Sequence, residues 1–127
     1  MSMSSQVITD SLTYYLTTGA PMTRPVDWQV SLHTADPGTG SSNEVTDSGY
    51  SRQDATFALD GTSQNVANQA DLVFGTAASG FTVTHVVVWD KTNSIALVIQ
   101  RLSTSKAVAA GAQALTAAGE LKIGGSL

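Results

Sequence analysis

Two histidines and several serines and aspartates are the side chains of this sequence whose chemistry could support catalysis. His33 lies three residues before Asp36, and a serine beside this pair would complete the nucleophile, base and acid of a hydrolytic triad. No Gly-x-Ser-x-Gly motif is present to hold a serine on the sharp turn that many such nucleophiles occupy. We therefore interpret His33 as structural, and we expect the protein not to be an enzyme.

Metal binding is the second chemistry that these residues suggest. A zinc site would need a third ligand to converge with His33 and His85, and the sequence has no cysteine and no His-x-His pair. The acidic and amide side chains from Asp36 to Asp47 could surround a calcium ion, but their spacing matches no regular calcium loop. We therefore predict no metal ion and no cofactor.

The composition indicates a single domain, residues 1–127, with a neutral polar surface. Hydrophobic residues make up 42% of the chain, which is enough for one core. Charged residues make up only 13%, and neutral polar groups cost less than charges to bury against other subunits. A net charge of −4 argues against nucleic-acid binding, and no apolar stretch approaches the roughly 18 residues that span a membrane. We therefore expect a homo-oligomer that binds neither nucleic acid nor membrane.

The strand that carries His33 is the clearest element of the sequence. From Val26 to His33 apolar and polar residues alternate strictly, which is typical of a β-strand with one buried face and one solvated face. Asp36-Pro37-Gly38 ends the strand, because proline has no amide proton for the sheet and glycine permits a tight turn. A long loop over residues 36–49 follows, and loops of this length in small domains are usually functional.

A short helix is predicted before this strand, at about residues 5–18. Its apolar residues share one face at a period of 3.6: Ile8, Leu12, Tyr15 and Leu16. Gly19 is the expected C-terminal stop. Threonines and paired tyrosines make the helix intrinsically weak, so we expect it to form by docking this apolar stripe on the sheet.

Short strands account for the rest of the chain. We predict a strand over Tyr50 to Leu59, a polar connection over Asn65 to Asn68 and a strand over Ala70 to Phe74. The apolar stretch from Phe81 to Trp89 is expected to be buried on both faces and to form a central hairpin with residues 95–102. Two shorter strands are predicted near the C-terminus, over residues 112–115 and 120–123. The fold class is therefore mainly β, an antiparallel, jelly-roll-like β-sandwich of about 7–8 strands.

Three groups of motifs resemble a family of small bacteriophage virion proteins, often described as phage tail fibre or head decoration proteins. The first is Leu32-His33-Thr34-Ala35-Asp36-Pro37-Gly38, with Asn43-Glu44-Val45 and Gly49-Tyr50-Ser51-Arg52-Gln53. The second is Thr82-Val83-Thr84-His85-Val86 with Trp89-Asp90, and the third is Lys106-Ala107-Val108-Ala109-Ala110-Gly111 with Ala117-Ala118-Gly119-Glu120-Leu121. Members often have a glycine run before the Gly-Tyr pair, where this chain has Thr46-Asp47-Ser48, which implies a stiffer or differently shaped loop.

The resemblance implies a β-sandwich in a repeated position on a virion, made in the host cytoplasm. The chain has no coiled-coil shaft and no fibrous repeat, so our leading hypothesis is a capsid decoration, or cement, protein. It would bind the major capsid protein, as a trimer or another homo-oligomer, and stabilise the head shell. The alternative is a tail, baseplate or tail-fibre-associated component that binds tail proteins. A third hypothesis is a carbohydrate-binding adsorption module, which requires an exposed aromatic pair.

Five residues in and beside the long loop are our candidates for partner contacts: Asp36, Asn43, Glu44, Val45 and Tyr50. They lie within the first group of family motifs, and binding residues are often found on loops that a rigid scaffold positions. The alternative interpretation is an ordinary surface loop.

Overall fold

A computed structural model of the protein describes residues 2–20, 23–61 and 65–124, which form a mainly β protein. These residues contain one helix, α1 (Ser5–Leu16), and ten strands. The strands are β1 (Ser2–Met3), β2 (Trp28–His33), β3 (Gln53–Ala55), β4 (Phe57–Leu59), β5 (Asn65–Asn68), β6 (Leu72–Thr76), β7 (Gly80–Asp90), β8 (Ile95–Ala109), β9 (Gln113–Thr116) and β10 (Lys122–Gly124). Every strand pairing within the described ranges is antiparallel, which confirms the predicted fold class.

The largest sheet has five strands in the order β1-β8-β7-β2-β3. Strands β7 and β8 form the predicted central hairpin, with Val87 opposite Ile99. Strand β7 also pairs with β2, where Val30 lies opposite Val88. The apolar run Val86–Trp89 is at most 7% exposed at any position, which confirms its expected burial on both faces.

Two smaller sheets cover one face of this large sheet, which we call its inner face. Their strand orders are β10-β5-β4 and β6-β9. Val30 and Val86 of the large sheet pack in one cluster with Phe74 of β6 and Ile123 of β10. Two layers of β-sheet therefore enclose one core, in a sandwich-like arrangement.

The opposite, outer face of the large sheet carries a second and smaller apolar cluster. It consists of Val87, Trp89 and Ala96, with Ile99 packed against them. Because side chains alternate along a strand, Val87 and Trp89 point away from the inner face that Val86 and Val88 occupy. The segment between β2 and β3 lies over this cluster and shields it from solvent.

Two strand predictions need correction. The strand expected over Tyr50 to Leu59 is two strands, β3 and β4, which pair in different sheets. The polar connection expected over Asn65–Asn68 is the strand β5. Asn68, which is 2% exposed, fits there because its side chain donates to the carbonyls of Ala70 and Ala117 and accepts from the amide of Leu121. Internal hydrogen bonds thus let a polar sequence occupy a buried strand.

Helix α1 forms as predicted, but the expectation that it docks on the sheet is wrong. The hydroxyl of Ser4 caps the helix by accepting a hydrogen bond from the amide of Val7. None of the 12 described residues of α1 is buried. The preceding strand β1 pairs at the edge of the large sheet, so the helix begins beside the sheet instead of over a face. Within the described ranges no helix is long and apolar enough to cross a membrane.

Candidate functional site

The segment between β2 and β3, residues 34–52, forms the candidate site, and we call it the outer loop. The part of this loop around Gly40 lies against the outer face of the large sheet and is held there tightly. A Cβ atom added at Gly40 would come within 2.6 Å of the Cβ of Ala96 and 3.3 Å of the Trp89 ring. Pro37 is less than 2% exposed. The outer loop is therefore a folded layer over Trp89, and not the solvated loop that its composition suggests.

Asp36 and Asn43 stabilise the first half of the outer loop with hydrogen bonds to its backbone. One carboxylate oxygen of Asp36 accepts a 2.8 Å hydrogen bond from the amide of Gly38, an Asx turn that follows from the Asp-Pro-Gly sequence. The side-chain amide of Asn43 donates to the backbone carbonyl of Asp36 at 2.8 Å. Asn43 has a positive φ of 59°, which asparagine tolerates better than most residues. Both side chains remain exposed at the surface of the loop.

A chain of three buried side chains lies beneath the outer loop. The indole nitrogen of Trp89 donates to the hydroxyl of Ser31 at 2.8 Å, and this hydroxyl lies 2.7 Å from Nε2 of His33. Nδ1 of His33 lies 2.8 Å from the carbonyl oxygen of Ser42 in the outer loop. Since a carbonyl only accepts, Nδ1 carries the proton, and the Ser31 hydroxyl donates to Nε2. With a neutral imidazole, the polar side-chain atoms of Ser31, His33 and Trp89 all have hydrogen-bond partners.

The Ser31 and His33 pair has the spacing of a nucleophile and its base, but its surroundings are structural. Both residues have 0% exposed surface, so no substrate can reach the hydroxyl. The carboxylate of Asp36 binds the amide of Gly38 and does not orient the imidazole. The expectation that the polar face of β2 is solvated is therefore wrong, because the outer loop covers it.

Acid is expected to destabilise the protein through His33, because burial lowers the pKa of this histidine below its ordinary value of 6.5. The unfolded chain then binds a proton before the folded one does. The contribution is complete above pH 6.5, and the free energy of unfolding falls as the pH drops from 6.5 towards the lowered pKa of the folded state. Urea unfolding at several pH values above 5 would measure this slope, since the carboxylates titrate at lower pH.

The variant His33→Gln is expected to lose this slope. An unchanged slope in His33→Gln would show that another group causes the pH dependence.

Glu44, Tyr50 and Arg52 form a second hydrogen-bonded group in the outer loop. Arg52 binds Glu44 with two hydrogen bonds of 2.9 and 2.7 Å, and the Tyr50 hydroxyl donates to the same carboxylate at 2.7 Å. The guanidinium carbon of Arg52 lies 4.4 Å from the centre of the Trp89 ring. Burial alone would raise the pKa of Glu44, but the hydrogen bonds from Arg52 and Tyr50 outweigh it and hold that pKa below its usual range.

The same group connects the outer loop to the core. Val45 is 5% exposed and packs in the main cluster. The Tyr50 ring stacks on Phe74 with centroids 6.3 Å apart and meets Phe81 edge-on at 6.4 Å. Burial raises the pKa of the Tyr50 hydroxyl, which also accepts a hydrogen bond from the amide of Leu32. These residues therefore fix the path of the loop from within.

Asp47 fastens the far end of the outer loop to the start of β7. Its carboxylate accepts hydrogen bonds from the amides of Gly49, Ala78, Ser79 and Gly80, at 2.8 to 3.0 Å. The hydrogen bond from Ala78 is the largest of the effects that lower the pKa of this carboxyl to about 2. The carboxylate is thus occupied by the chain itself and is not a free anionic contact.

The five predicted contact residues fall into two groups. Asp36 and Asn43 present exposed side chains. Glu44 and Tyr50 are half-buried and bonded within the chain, and Val45 lies in the core. The partner-contact role of all five stays a prediction, and the inner three would act by shaping the loop that carries the outer two.

Sequence reasoning did not single out Ser31, Arg52 or Asp47 as site residues. The spacing of Asp47 and Gly49 is typical of an Asx turn, so this local bond had a recognisable signal. The contacts from Asp47 to β7 and from Arg52 to Trp89 depend on the path of the loop, which no local pattern indicates. Across the described ranges, no group of three or more His, Cys, Asp or Glu side chains is placed to hold a metal ion.

Comparison with known families gives a match over almost the whole chain. The profile of the family described as Podophage GP4 fiber I protein gp80 matches residues 3–124. The match spans α1, the outer loop and the strands β2 to β10. No curated protein matches the chain.

Proposed function

The chain belongs to the family described as Podophage GP4 fiber I protein gp80, and from this we propose that it is a tail or tail-fibre-associated structural component of a podophage virion. It is a phage structural protein that is made in the host cytoplasm and assembled into the virion. The observation that carries the proposal is the family match over residues 3–124. A non-enzymatic role agrees with it, since the one Ser-His pair described in the fold is sealed from solvent.

The family description favours the tail or fibre assignment over capsid decoration, the leading hypothesis from the sequence. That hypothesis rested on the lack of a fibrous shaft, and a compact domain can also serve a fibre as a junction or a tip. The described strands have 15 residues or fewer and pack in two layers, so the domain does not itself form a shaft. A compact domain of this kind is suited to binding neighbouring proteins.

We propose the outer loop as one surface that contacts these neighbours, with Asp36 and Asn43 as its exposed members. The hydrogen bonds of Asp36 and Asn43 and the half-buried hydrogen bond between Glu44 and Tyr50 hold the loop in one conformation. A rigid loop loses little conformational entropy when it binds, which favours association. Tail proteins are the proposed partners.

Carbohydrate binding remains a second candidate because one exposed aromatic pair exists. Tyr14 and Tyr15 are 65% and 78% exposed, and their ring centroids are 4.9 Å apart. Their planes meet at 77°, so the two rings do not form a flat platform for a sugar. Trp89 is 7% exposed and is not available. The structural role is therefore the better supported of the two.

Quantitative mass spectrometry of purified virions, combined with immunogold electron microscopy, tests the proposal. We expect a copy number comparable to that of the tail proteins and gold label on the tail. A copy number comparable to that of the major capsid protein, with label over the head, would support capsid decoration instead. Absence of the protein from the virion would overturn both assignments.

A further inference from the structure

The two layers of the sandwich are joined along one side and open along the other. On the joined side a single residue, Thr56, separates β3 of the large sheet from β4 of the three-stranded sheet. On the other side β8 and β9 are also closely connected, through residues 110–112, but the described sheets contain no pairing between them. Strand β8 pairs with β7 in the large sheet, and β9 pairs with β6 in the other layer. The two strands therefore diverge from their shared turn, and we call the gap between them the open seam.

A groove with an apolar floor runs along the open seam. Its main cavity has a volume of about 480 Å³, and the buried residues Val83 and Val86 of the large sheet form part of its floor. Val98 of β8 and Ile123 of β10 line a second, apolar cavity of about 250 Å³ farther along the same two strands. The groove is thus bounded by β8 on one side and by β9 and β10 on the other. The larger volume lies within the range of sites that bind drug-sized ligands, which is room for a few side chains.

The strands that border the open seam have a sheet partner on one side only. Within the described residues β9 pairs with β6 alone and β10 pairs with β5 alone. Strand β1 covers only Val98 and Ile99 of β8, and in the described ranges the rest of that edge has no strand beside it. Because an antiparallel strand directs its N–H and C=O groups alternately to its two sides, each of these edges presents backbone donors and acceptors to the seam. The edge of β9 and β10 is the more regular one, since residues 102–105 of β8 bulge opposite Thr84.

Lys106 reaches from β8 across the open seam. Its ammonium group donates a 3.2 Å hydrogen bond to the backbone carbonyl of Leu115 in β9. This carbonyl therefore lies within reach of the seam, and a side chain serves it where a neighbouring strand would supply an amide.

The charge of Lys106 is not compensated within the described residues. The ion pairs found there involve three other cations: Arg52, Lys91 and Lys122. Glu120 also lines the groove, but its carboxylate accepts a hydrogen bond from the amide of Ala117. A carboxylate on an incoming segment would therefore complement Lys106.

A buried acceptor at the wide end of the open seam also lacks a partner. The side-chain oxygen of Gln100 lies beside the main cavity, is buried, and accepts no hydrogen bond from the described residues. Leaving such an oxygen unsatisfied is costly. An extended segment in the seam carries backbone N–H groups at regular intervals, and one of them can supply the missing donor.

An extended strand is the occupant that suits all of these features together. A helix uses its N–H and C=O groups within itself, so it cannot pair with strand edges. A strand added at an edge gains main-chain hydrogen bonds, and its alternate side chains enter the pockets below. Every strand in the described ranges already belongs to one of the three sheets, so that part of a second copy has no free strand to supply. The segment therefore comes from a different protein.

We propose that the open seam receives an extended segment of a neighbouring tail protein, which adds as a strand to the free edge of β9 and β10. The segment has apolar side chains at every second position, directed to the floor of the groove, and a carboxylate near Lys106. This inference rests on the proposed function and deepens it, because it names the kind of partner segment that the protein binds. The added strand joins the two layers along their second side.

Hydrogen exchange measured by mass spectrometry tests whether the open seam is occupied in the assembled particle. The isolated protein is compared with purified virions. We expect the seam-facing amides of β9 and β10 to exchange at least about tenfold more slowly in virions, because the added strand pairs with them. The exposed turn over residues 91–94 lies outside the seam and is the internal control, with unchanged exchange.

The two ways of failing are distinguishable in this experiment. Unchanged exchange of β9 and β10 in virions that contain the protein would overturn the inference and leave the proposed function standing. Absence of the protein from the virions would overturn the proposed function, and the inference with it.

A designed peptide tests whether the occupant binds as a strand. The probe is a fluorescent nine-residue peptide in which threonine and valine alternate, with glutamate as its last residue and an amidated C-terminus. The control peptide carries N-methyl groups on its two central amides, which keeps every side chain but removes one backbone donor on each side of the strand. We expect the control to bind at least about tenfold more weakly in fluorescence anisotropy. Equal binding of the two peptides, or no binding of the probe, would overturn the inference.

A double-mutant cycle tests the carboxylate contact at Lys106. Lys106→Gln is expected to weaken binding of the probe about two- to fivefold, the range for an exposed ion pair. A probe that ends in glutamine should bind Lys106→Gln as well as the glutamate probe does, because the pair is already broken. Arg24→Gln, at an exposed residue outside the groove, removes the same charge and should leave binding unchanged. Equal effects of Lys106→Gln and Arg24→Gln would overturn the carboxylate contact.

Discussion

The variant Gly49→Ala is expected to destabilise the protein strongly, because two backbone segments cross at this glycine without room for a side chain. A Cβ atom at Gly49 would overlap the carbonyl oxygen of Thr76, and a Cβ atom at Gly75 would overlap the carbonyl oxygen of Gly49. The amide of Ser51 binds the carbonyl of Phe74 at 3.0 Å beside this crossing, which holds the segments together. Backbone atoms on both sides cannot move without breaking the sheet.

We expect Gly49→Ala to lower the free energy of unfolding by more than about 4 kcal/mol, a large share of the roughly 5–15 kcal/mol that stabilises a typical domain. Urea unfolding followed by circular dichroism measures this loss. Gly111→Ala is the matched control. Gly111 has a φ of +82°, but no described atom lies within 4 Å of an added Cβ, so the cost is about 1–2 kcal/mol of backbone strain. Similar losses in the two variants would show that the crossing is not tight.

The second large effect is expected for Ser31→Ala, which removes the central member of the buried chain beneath the outer loop. Its hydroxyl accepts from the indole of Trp89 and donates to His33, and both partners would be left unsatisfied. Each buried polar group without a partner costs about 1–3 kcal/mol, so we expect a total loss of about 2–6 kcal/mol. Urea unfolding again measures it.

Ser41→Ala provides the control for this substitution. Ser41 is exposed in the outer loop, and truncating its side chain should change the free energy of unfolding by less than about 0.5 kcal/mol. If Ser31→Ala were as mild as Ser41→Ala, a water molecule or a rearranged side chain would have to replace the lost hydroxyl.

Strands β2 and β7 and the first half of β8 could be predicted from local pattern, whereas the edge strand β1 was not predicted. The continuous apolar run in β7 reflects burial on both faces, and the alternation along β2 places its apolar side chains on the inner face. The pattern did not indicate that Ser31 and His33 are also buried. Their polarity suggested solvent, whereas the outer loop supplies hydrogen-bond partners that make burial possible.

The candidate site was predicted only as a location. Asp36-Pro37-Gly38 indicated a turn and a loop, and the structure contains both. Glu44 was proposed as a partner contact, but its carboxylate binds Arg52 and Tyr50 of the same loop. Such pairings depend on how the chain is folded back, which residue type and spacing do not determine.

Helix α1 shows the limit of periodicity in a different way. The apolar stripe of Leu12 and Leu16 correctly predicts a helix but not its partner. In a small domain the natural expectation is a stripe facing the core. Here the inner face is covered by two sheets and the outer face by a loop, so the stripe remains exposed.

The attachment of Asp47 to the start of β7 also implies an order of folding. The β7–β8 hairpin closes through a short turn, whereas the bond from Ala78 to Asp47 joins residues 31 positions apart. Contacts between distant residues carry a larger loop-closure entropy and generally form more slowly. We therefore expect the hairpin to form before the outer loop closes over Trp89. In the folded protein, the closed outer loop buries the apolar cluster around Trp89, which would otherwise be an exposed patch prone to aggregation.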